Sequence, residues 1–283
     1  MAKYILSAFA DEAGASLDEQ IAALKRNHIQ YMEIRSVNGV NICQTPLETV
    51  KQYKQQLDAA GIRVMTIGSC IGKVKLTDDY DKHLTMFKHT LEVAKILGAT
   101  RMRMFSFFTK DPAADRNAVF DHLDEWLTLA QEAGVELYHE NEKDIFGDTD
   151  NRVLQLIHAF KGRMQFIFDP ANFIQCGCLP KDIYPALREH LGYFHIKDAL
   201  CRTGGVVPAG KGDGDIPYLL TDFARDHDSV MLTVEPHLKT FAGLTDTVSI
   251  REDEFVYQNN NEAFDAAVSA LKNILEQGEL SYE

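Results

Sequence analysis

The sequence predicts an α/β protein folded as a single-domain (β/α)8 barrel spanning residues 1–283. Two observations carry this expectation. Short apolar runs alternate with amphipathic stretches along the whole chain, and several of those stretches stop at a glycine that hands over directly to the next run. Eight such units argue for parallel strands joined by right-handed helical crossovers, and eight parallel strands close into a barrel. The length of 283 residues, 45% hydrophobic and 25% charged, suits one barrel with a sizeable core. An open doubly wound sheet is the alternative, but the GxGxxG fingerprint expected after its first strand is absent.

In chain order the strand-like runs are Tyr4–Ala10, Tyr31–Ser36, Arg63–Ser69, Arg101–Phe107, Val135–Asn141, Met164–Pro170, Tyr193–Ala199 and Met231–His237. Between them, helix starts carry capping chemistry: Ser16 with Glu19 three residues on, Thr45 before Pro46 and Glu48, and Asp148 or Asp150 before a Val/Leu/Ile face. Helix stops are expected at Gly61, Gly98 and Gly134, where a left-handed cap costs little without a Cβ. A final helix covers Glu262–Glu276. The segment 238–261 is about twice the usual connection length, and a lid, a surface excursion or an oligomer contact would each account for it.

Charge and cysteine content narrow the function classes. Lys and Arg number 29 against 42 Asp and Glu, a net charge of -13 with no local basic patch, which argues against nucleic acid and anionic membranes as partners. No apolar stretch approaches membrane-spanning length. Five cysteines, an odd number, and an N-terminus that runs straight into a strand fit a reducing, cytoplasmic setting without a signal peptide. Cys176 and Cys178 lack a second pair at zinc-site spacing and read as loop thiols.

In a barrel the site lies at the C-terminal ends of the strands. The fifth run, VELYHENE (Val135–Glu142), passes from apolar to polar there, and its neighbours do the same. Glu140, Asp169, His195 and Glu235 fall at matching levels on four consecutive strands. Three buried carboxylates side by side need a compensating cation. With one imidazole they suit a single hard or borderline divalent ion, Mn2+, Mg2+, Co2+ or Zn2+.

Strand periodicity places Glu142, Lys197 and His237 two positions further on and facing the same way, ringing the mouth as candidates for substrate contact. Glu33 and Arg35 share a face on the second strand, and Arg103 can do the same on the fourth. His139 and Asn141 point the other way, which suits orienting or packing roles. The segment Ala209–Pro217, AGKGDGDIP, matches neither a phosphate loop nor a calcium loop, since GxxxxGK[ST] order is missing and Ala224 stands where a calcium-binding glutamate is needed. Its glycines read as turn residues before a helix starting near Ile216, with a substrate-facing loop as the minority reading.

The segments ELYHEN, FDPANF, YFHIKDA, AGKGDGD and TVEP together resemble the xylose isomerase-like barrels grouped as sugar phosphate isomerases and epimerases. The resemblance is dense in the second half and rests on strand order and Glu33 in the first. It implies that Glu140, Asp169, His195 and Glu235 bind one divalent metal, that Glu140 and Glu235 exchange protons with a substrate carbon as in ketose 3-epimerases, and that Glu33, Glu142, Asn172, Lys197 and His237 line a small-molecule sugar site. Geometry adds independent support, since the fifth and eighth strands are three steps apart in a ring of eight and bring their glutamates to a central substrate from nearly opposite sides. Such barrels commonly associate, so a homo-oligomer is compatible.

One departure is Asn172, where many relatives carry a histidine; it can donate and accept hydrogen bonds but cannot shuttle a proton near neutral pH. Endonuclease IV shares the scaffold but needs extra histidines for three zinc ions, which this chain lacks. The same base and metal serve two further readings, a lyase resembling inosose dehydratases and a non-catalytic sugar-binding barrel.

Overall fold

Eight strands, each buried for most of its length, form the centre of the molecule: β1 (Lys3–Ala8), β2 (Tyr31–Ile34), β3 (Arg63–Ile67), β4 (Arg101–Met104), β5 (Glu136–Glu140), β6 (Met164–Phe168), β7 (Leu191–Ile196) and β8 (Ser229–Val234). The computed structural model describes residues 3–241 and 255–283. The strands are all parallel and close into a barrel, β1 pairing with both β8 and β2. Outer helices alternate with them: α1 (Leu17–Arg26), α2 (Leu47–Ala60), α3 (Tyr80–Leu97), α4 (Pro112–Ala133), α5 (Asp150–Ala159), the short α6 (Pro170–Gln175), α7 (Pro180–Leu187), α8 (Ile216–Phe223) and α9 (Asn260–Gln277). This is the (β/α)8 barrel expected from the alternation of runs. A parallel strand covered by helices outside and by side chains inside is apolar on both faces, which is why the runs were continuous.

The register shifts at two places, between Met32 and Glu33 where β2 meets β3, and between Phe166 and Ile167 where β6 meets β7. Such irregularities re-aim side chains. Both precede acids of the site, Glu33 and Asp169.

Local signals acted with mixed success. Ser16 and Glu19 form the reciprocal capping box. Gly61, Gly98 and Gly134 end α2, α3 and α4 at φ of 74, 74 and 70°. Thr45 does not cap α2; its hydroxyl donates to the Asn41 carbonyl, and Pro46 stands at the cap without a side-chain bond. Neither Asp148 nor Asp150 caps α5, whose cap is Thr149, because Asp148 is held by Arg152. The strands also end two or three residues sooner than the apolar runs suggest, except β5, which ends one residue sooner. Beyond each end the chain turns to present polar groups, as at Asp169, which caps α6 by accepting the Asn172 N–H at 2.9 Å.

At the opposite end of the barrel, residues 281–283 add to the outer edge of β1. Tyr4 N–H donates to Ser281 O at 2.9 Å, Leu6 N–H to Glu283 O at 2.8 Å, and Glu283 N–H to Tyr4 O at 2.9 Å. Of the segment 238–261, residues 242–254 lie outside the described residues, and so does any lid they would form.

Candidate metal centre

Four strand ends bring Glu140, Asp169, His195 and Glu235 together. Each offers one ligand atom, all of them within 4.8 Å of one another, and every one of the four residues is buried. Glu140 closes β5, His195 lies inside β7, and Asp169 and Glu235 follow directly on β6 and β8. His195 Nδ1 stands 3.1 Å from Glu140 Oε1 and 3.5 Å from Glu235 Oε2. Yet it makes no well-formed hydrogen bond. A buried ring nitrogen aimed among carboxylate oxygens without a bond of its own fits the ligand position of a divalent cation.

The ring of charges extends beyond the four. Lys197 Nζ lies 2.8 Å from Asp169 Oδ2 and 3.1 Å from Glu235 Oε2. Arg103 reaches Glu140 Oε2 at 2.9 Å, and its other nitrogens donate to the Gly68 and Ser69 carbonyls. Arg35 forks onto Asp11, with bonds of 3.0 and 2.9 Å, and also touches Glu12 at 2.9 Å and Glu235 at 3.0 Å. The Phe9 ring is shared by both guanidinium groups, 4.4 Å from Arg35 and 4.9 Å from Arg103. Six buried carboxylates (Asp11, Glu12, Glu33, Glu140, Asp169, Glu235) thus face three permanent cations (Arg35, Arg103, Lys197). A divalent ion would add to the cations that face these acids, and the donor set of three carboxylates and one imidazole fits it.

Protonation preferences follow the same layout. Burial pushes the Asp169 carboxyl up to about 7 although Lys197 pulls it down. Burial likewise lifts Glu12 to about 8 against the pull of Arg35. For Glu140 burial is outweighed by His195 and Arg103, which bring it down to about 2. Glu235 is held well below the usual carboxylate range because Lys197 and other neighbours outweigh its burial. His195 is held charged, since Glu140 and Glu33 together overcome its burial.

The remaining expected residues take varied places. Glu33 is not at the mouth; it lies fully buried beneath His195, accepting from Tyr193 and Thr233 hydroxyls at 3.1 and 2.9 Å and facing His195 Nε2 at 3.2 Å. Both of its oxygens are engaged by these three side chains. Asn172 donates through Nδ2 to Glu140 Oε1 at 3.2 Å and to the Asn141 carbonyl at 2.8 Å. Asn141 in turn exchanges two bonds of 3.0 Å with the Asp169 backbone, locking β5 to β6. His139 turns outward to Ser106 Oγ at 2.9 Å. Glu142 sits at the rim in an ion pair of 2.6 Å with Lys73.

His237 Nε2 is 3.4 Å from both Glu12 and Glu235, on a backbone with φ of 45°. Glu12, Glu235 and His237 make a second group with metal-ligand spacing, but Arg35 already bonds both of its carboxylates. Asp11 and Glu12 were missed in the sequence, although two acids directly after the first apolar run gave the same signal as the four ligands.

The AGKGDGDIP loop wraps a carboxylate of the protein itself. Asp198 accepts N–H bonds from Gly210 and Gly212 on Oδ2, at 2.8 and 3.1 Å, and from Gly214 and Ala199 on Oδ1, both at 2.9 Å. A Cβ on Gly212 would stand 2.3 Å from Asp198 Oδ1. The loop therefore spends its donors internally and leads into α8 at Ile216, as its turn glycines suggested.

Among solved structures, the chain is similar to the IOLI protein with a bound zinc atom (TM-score 0.73, 15% identity, covering 96% of this chain and 98% of that one). It is also similar to the probable 3-DHS dehydratase AsbF of Bacillus anthracis (TM-score 0.72, 15% identity, 96% and 99% covered) and to an L-ribulose 3-epimerase (TM-score 0.71, 16% identity, 99% and 96% covered). At these identities the likeness is one of fold. No curated protein matches the sequence significantly. The family model described as xylose isomerase-like TIM barrel matches residues 21–273, and with the closed barrel this places the chain in that family.

Proposed function

We propose that this protein is a divalent-metal-dependent isomerase or epimerase of a sugar or sugar derivative, working by proton transfer at carbon. The observation that carries the reading is the placement of Glu140 and Glu235, three strands apart yet within one 4.8 Å cluster and held down as carboxylates by neighbouring cations, His195 and Arg103 for Glu140 and chiefly Lys197 for Glu235. As a carboxylate, one glutamate takes the proton from a substrate carbon; the other passes a proton drawn from solvent to the opposite face, and solvent resets the pair. When bound, the ion would grip substrate oxygens and offset the charge of the enediolate.

Glu140, Asp169, His195 and Glu235 are assigned as its ligands, and Mn2+, Mg2+, Co2+ and Zn2+ all suit that set. Substrate contact is assigned to Lys197 and His237 near the cluster and to Glu142 at the rim, with Glu33 and Asn172 holding ligands in place. Free thiols at all five cysteines support a reducing, cytoplasmic setting.

A lyase is the second reading, supported by the likeness of fold to the probable dehydratase. The same base could form the enolate and then expel a β-hydroxyl. Incubation with ketoses and keto-inositols with Mn2+ in deuterated water separates the two. Deuterium at carbon without loss of water supports the isomerase, whereas a product lighter by water refutes it. Glu140→Gln and Glu235→Gln are each expected to lower the rate about 100-fold or more with the fold intact. Full turnover by both would remove the two glutamates from the chemistry, whereas sugar binding without turnover by the unmodified chain would leave only a binding role.

A further inference from the structure

Phe9 follows β1 directly and is completely buried, and its backbone N–H donates to Val234 O at 3.0 Å, one residue before Glu235. Two buried guanidinium groups stand over its ring, Arg35 at 4.4 Å and Arg103 at 4.9 Å. The run continues on either side, with Phe241 4.6 Å from Arg35 and Phe105 5.0 Å from Arg103. Rings and cations therefore alternate in the order Phe241, Arg35, Phe9, Arg103, Phe105. Gly68 leaves room for the central ring, since a Cβ there would stand 2.5 Å from Phe9 Cε1.

Both arginines end on the proton-transfer glutamates in the same way. Arg35 donates to Glu235 Oε1 at 3.0 Å, and Arg103 donates to Glu140 Oε2 at 2.9 Å. The other oxygen of each acid faces His195 Nδ1, Glu140 Oε1 at 3.1 Å and Glu235 Oε2 at 3.5 Å. In each glutamate one oxygen is pinned by an arginine and the other is turned to the cluster.

We propose that Phe9 is a positioning residue for both glutamates: its ring sets the two arginines, and the arginines set which oxygen of each acid faces the ion and the substrate carbon. The inference deepens the isomerase or epimerase reading and rests on it. Two guanidinium groups confined in one dry space repel each other. An aromatic face, negative at its centre, attracts both, and the flat guanidinium stacks on it, which fixes the direction of its N–H fork. Leucine fills much of the same volume without such a face. The Phe9 ring also meets the His195 imidazole edge to face at 5.2 Å, so one side chain borders both arginines and the ligand that the two glutamates share.

The test is calorimetric titration with Mn2+ of the full chain in three forms: unmodified, Phe9→Leu, and with phenylalanines carrying one, two and three ring fluorines in place of Phe9. Fluorination keeps the shape of the ring and drains its negative face. Carboxylates that are no longer held must be ordered when the ion arrives, which weakens binding. Kd is expected to rise stepwise along the fluorine series and about 10-fold in Phe9→Leu, with circular dichroism unchanged. An unchanged Kd across the fluorine series shows that the ring only fills space and overturns the proposal, whether or not Phe9→Leu folds. With a ketose that the unmodified chain turns over, kcat is expected to fall about 10-fold in Phe9→Leu while KM moves less than about 2-fold. A change confined to KM would make Phe9 a substrate contact and overturns the proposal. Absence of turnover by the unmodified chain refutes the isomerase reading instead, and the Mn2+ series alone then decides whether Phe9 sets the two glutamates.

Discussion

His195 Nε2 stands 3.2 Å from Glu33 Oε2 at the floor of the site, and both side chains are completely buried. The carboxylate fixes the ring so that Nδ1 faces the other three acids. Partners of this kind behind a ligating histidine set its orientation and basicity. Glu33→Gln keeps the shape and removes the charge, so divalent-ion affinity is expected to drop about 10- to 100-fold with circular dichroism unchanged. Calorimetric titration with Mn2+ measures it, and an unchanged Kd would show that Glu33 serves packing alone.

Lys197 occupies the space between Asp169 and Glu235 that a bound ion would compete for. Removing one partner of a buried ion pair is costly, so Lys197→Met is expected to lose about 3–5 kcal/mol of stability in urea without added metal. The same substitution removes a competing cation, and ion affinity should rise. Weaker binding by the variant would mean that Lys197 helps to build the site.

Binding of the ion should release protons. Asp169, lifted by burial to about 7 despite Lys197, is largely protonated below that pH, and His195 is held charged. Ligands bind only after deprotonation, so each displaced proton makes log K rise with pH, by about one unit per pH unit. The Asp169 contribution acts below about 7 and fades above it, while that of His195 persists to higher pH. Titrations below pH 7 in two buffers of different ionisation enthalpy count the protons, and a count of zero there would exclude both residues as ligands.

Asp198 holds the glycine loop through four backbone N–H groups. In Asp198→Asn the amide nitrogen must face two of those donors, and leaving them unsatisfied should cost roughly 2–4 kcal/mol in chemical denaturation. Inorganic phosphate should not raise the melting temperature of the unmodified chain through this loop. A loss under about 1 kcal/mol would show that the loop is held elsewhere.

The barrel and its three central acids and imidazole were legible because parallel strands are apolar on both faces, so polar residues at their ends stand out. Strand ends were less legible: Asp169 and Pro170 read as the end of a run but open α6, with proline in its first turn. Glu33 was legible as a strand residue, but the register shift beside it is a property of pairing with β3. Asp11 and Glu12 sit in a three-residue helical turn too short for any period. The Arg35–Glu235 contact joins residues 200 positions apart, which no local pattern can announce.

The added edge on β1 bears on how the chain comes together in time. β1 finds most of its partners far along the sequence, β8 along one side and, over Tyr4 and Leu6, residues 281–283 on the other, while β2 meets it only at Ser7 and Ala8. The ion pair of Lys3 with Glu283 spans 280 positions. Until those distant segments are in place, most of the backbone of an apolar strand stays unpaired, a state in which folding chains aggregate or wait for chaperones. Closure of this barrel is therefore a long-range event, and residues 281–283 act as its latch.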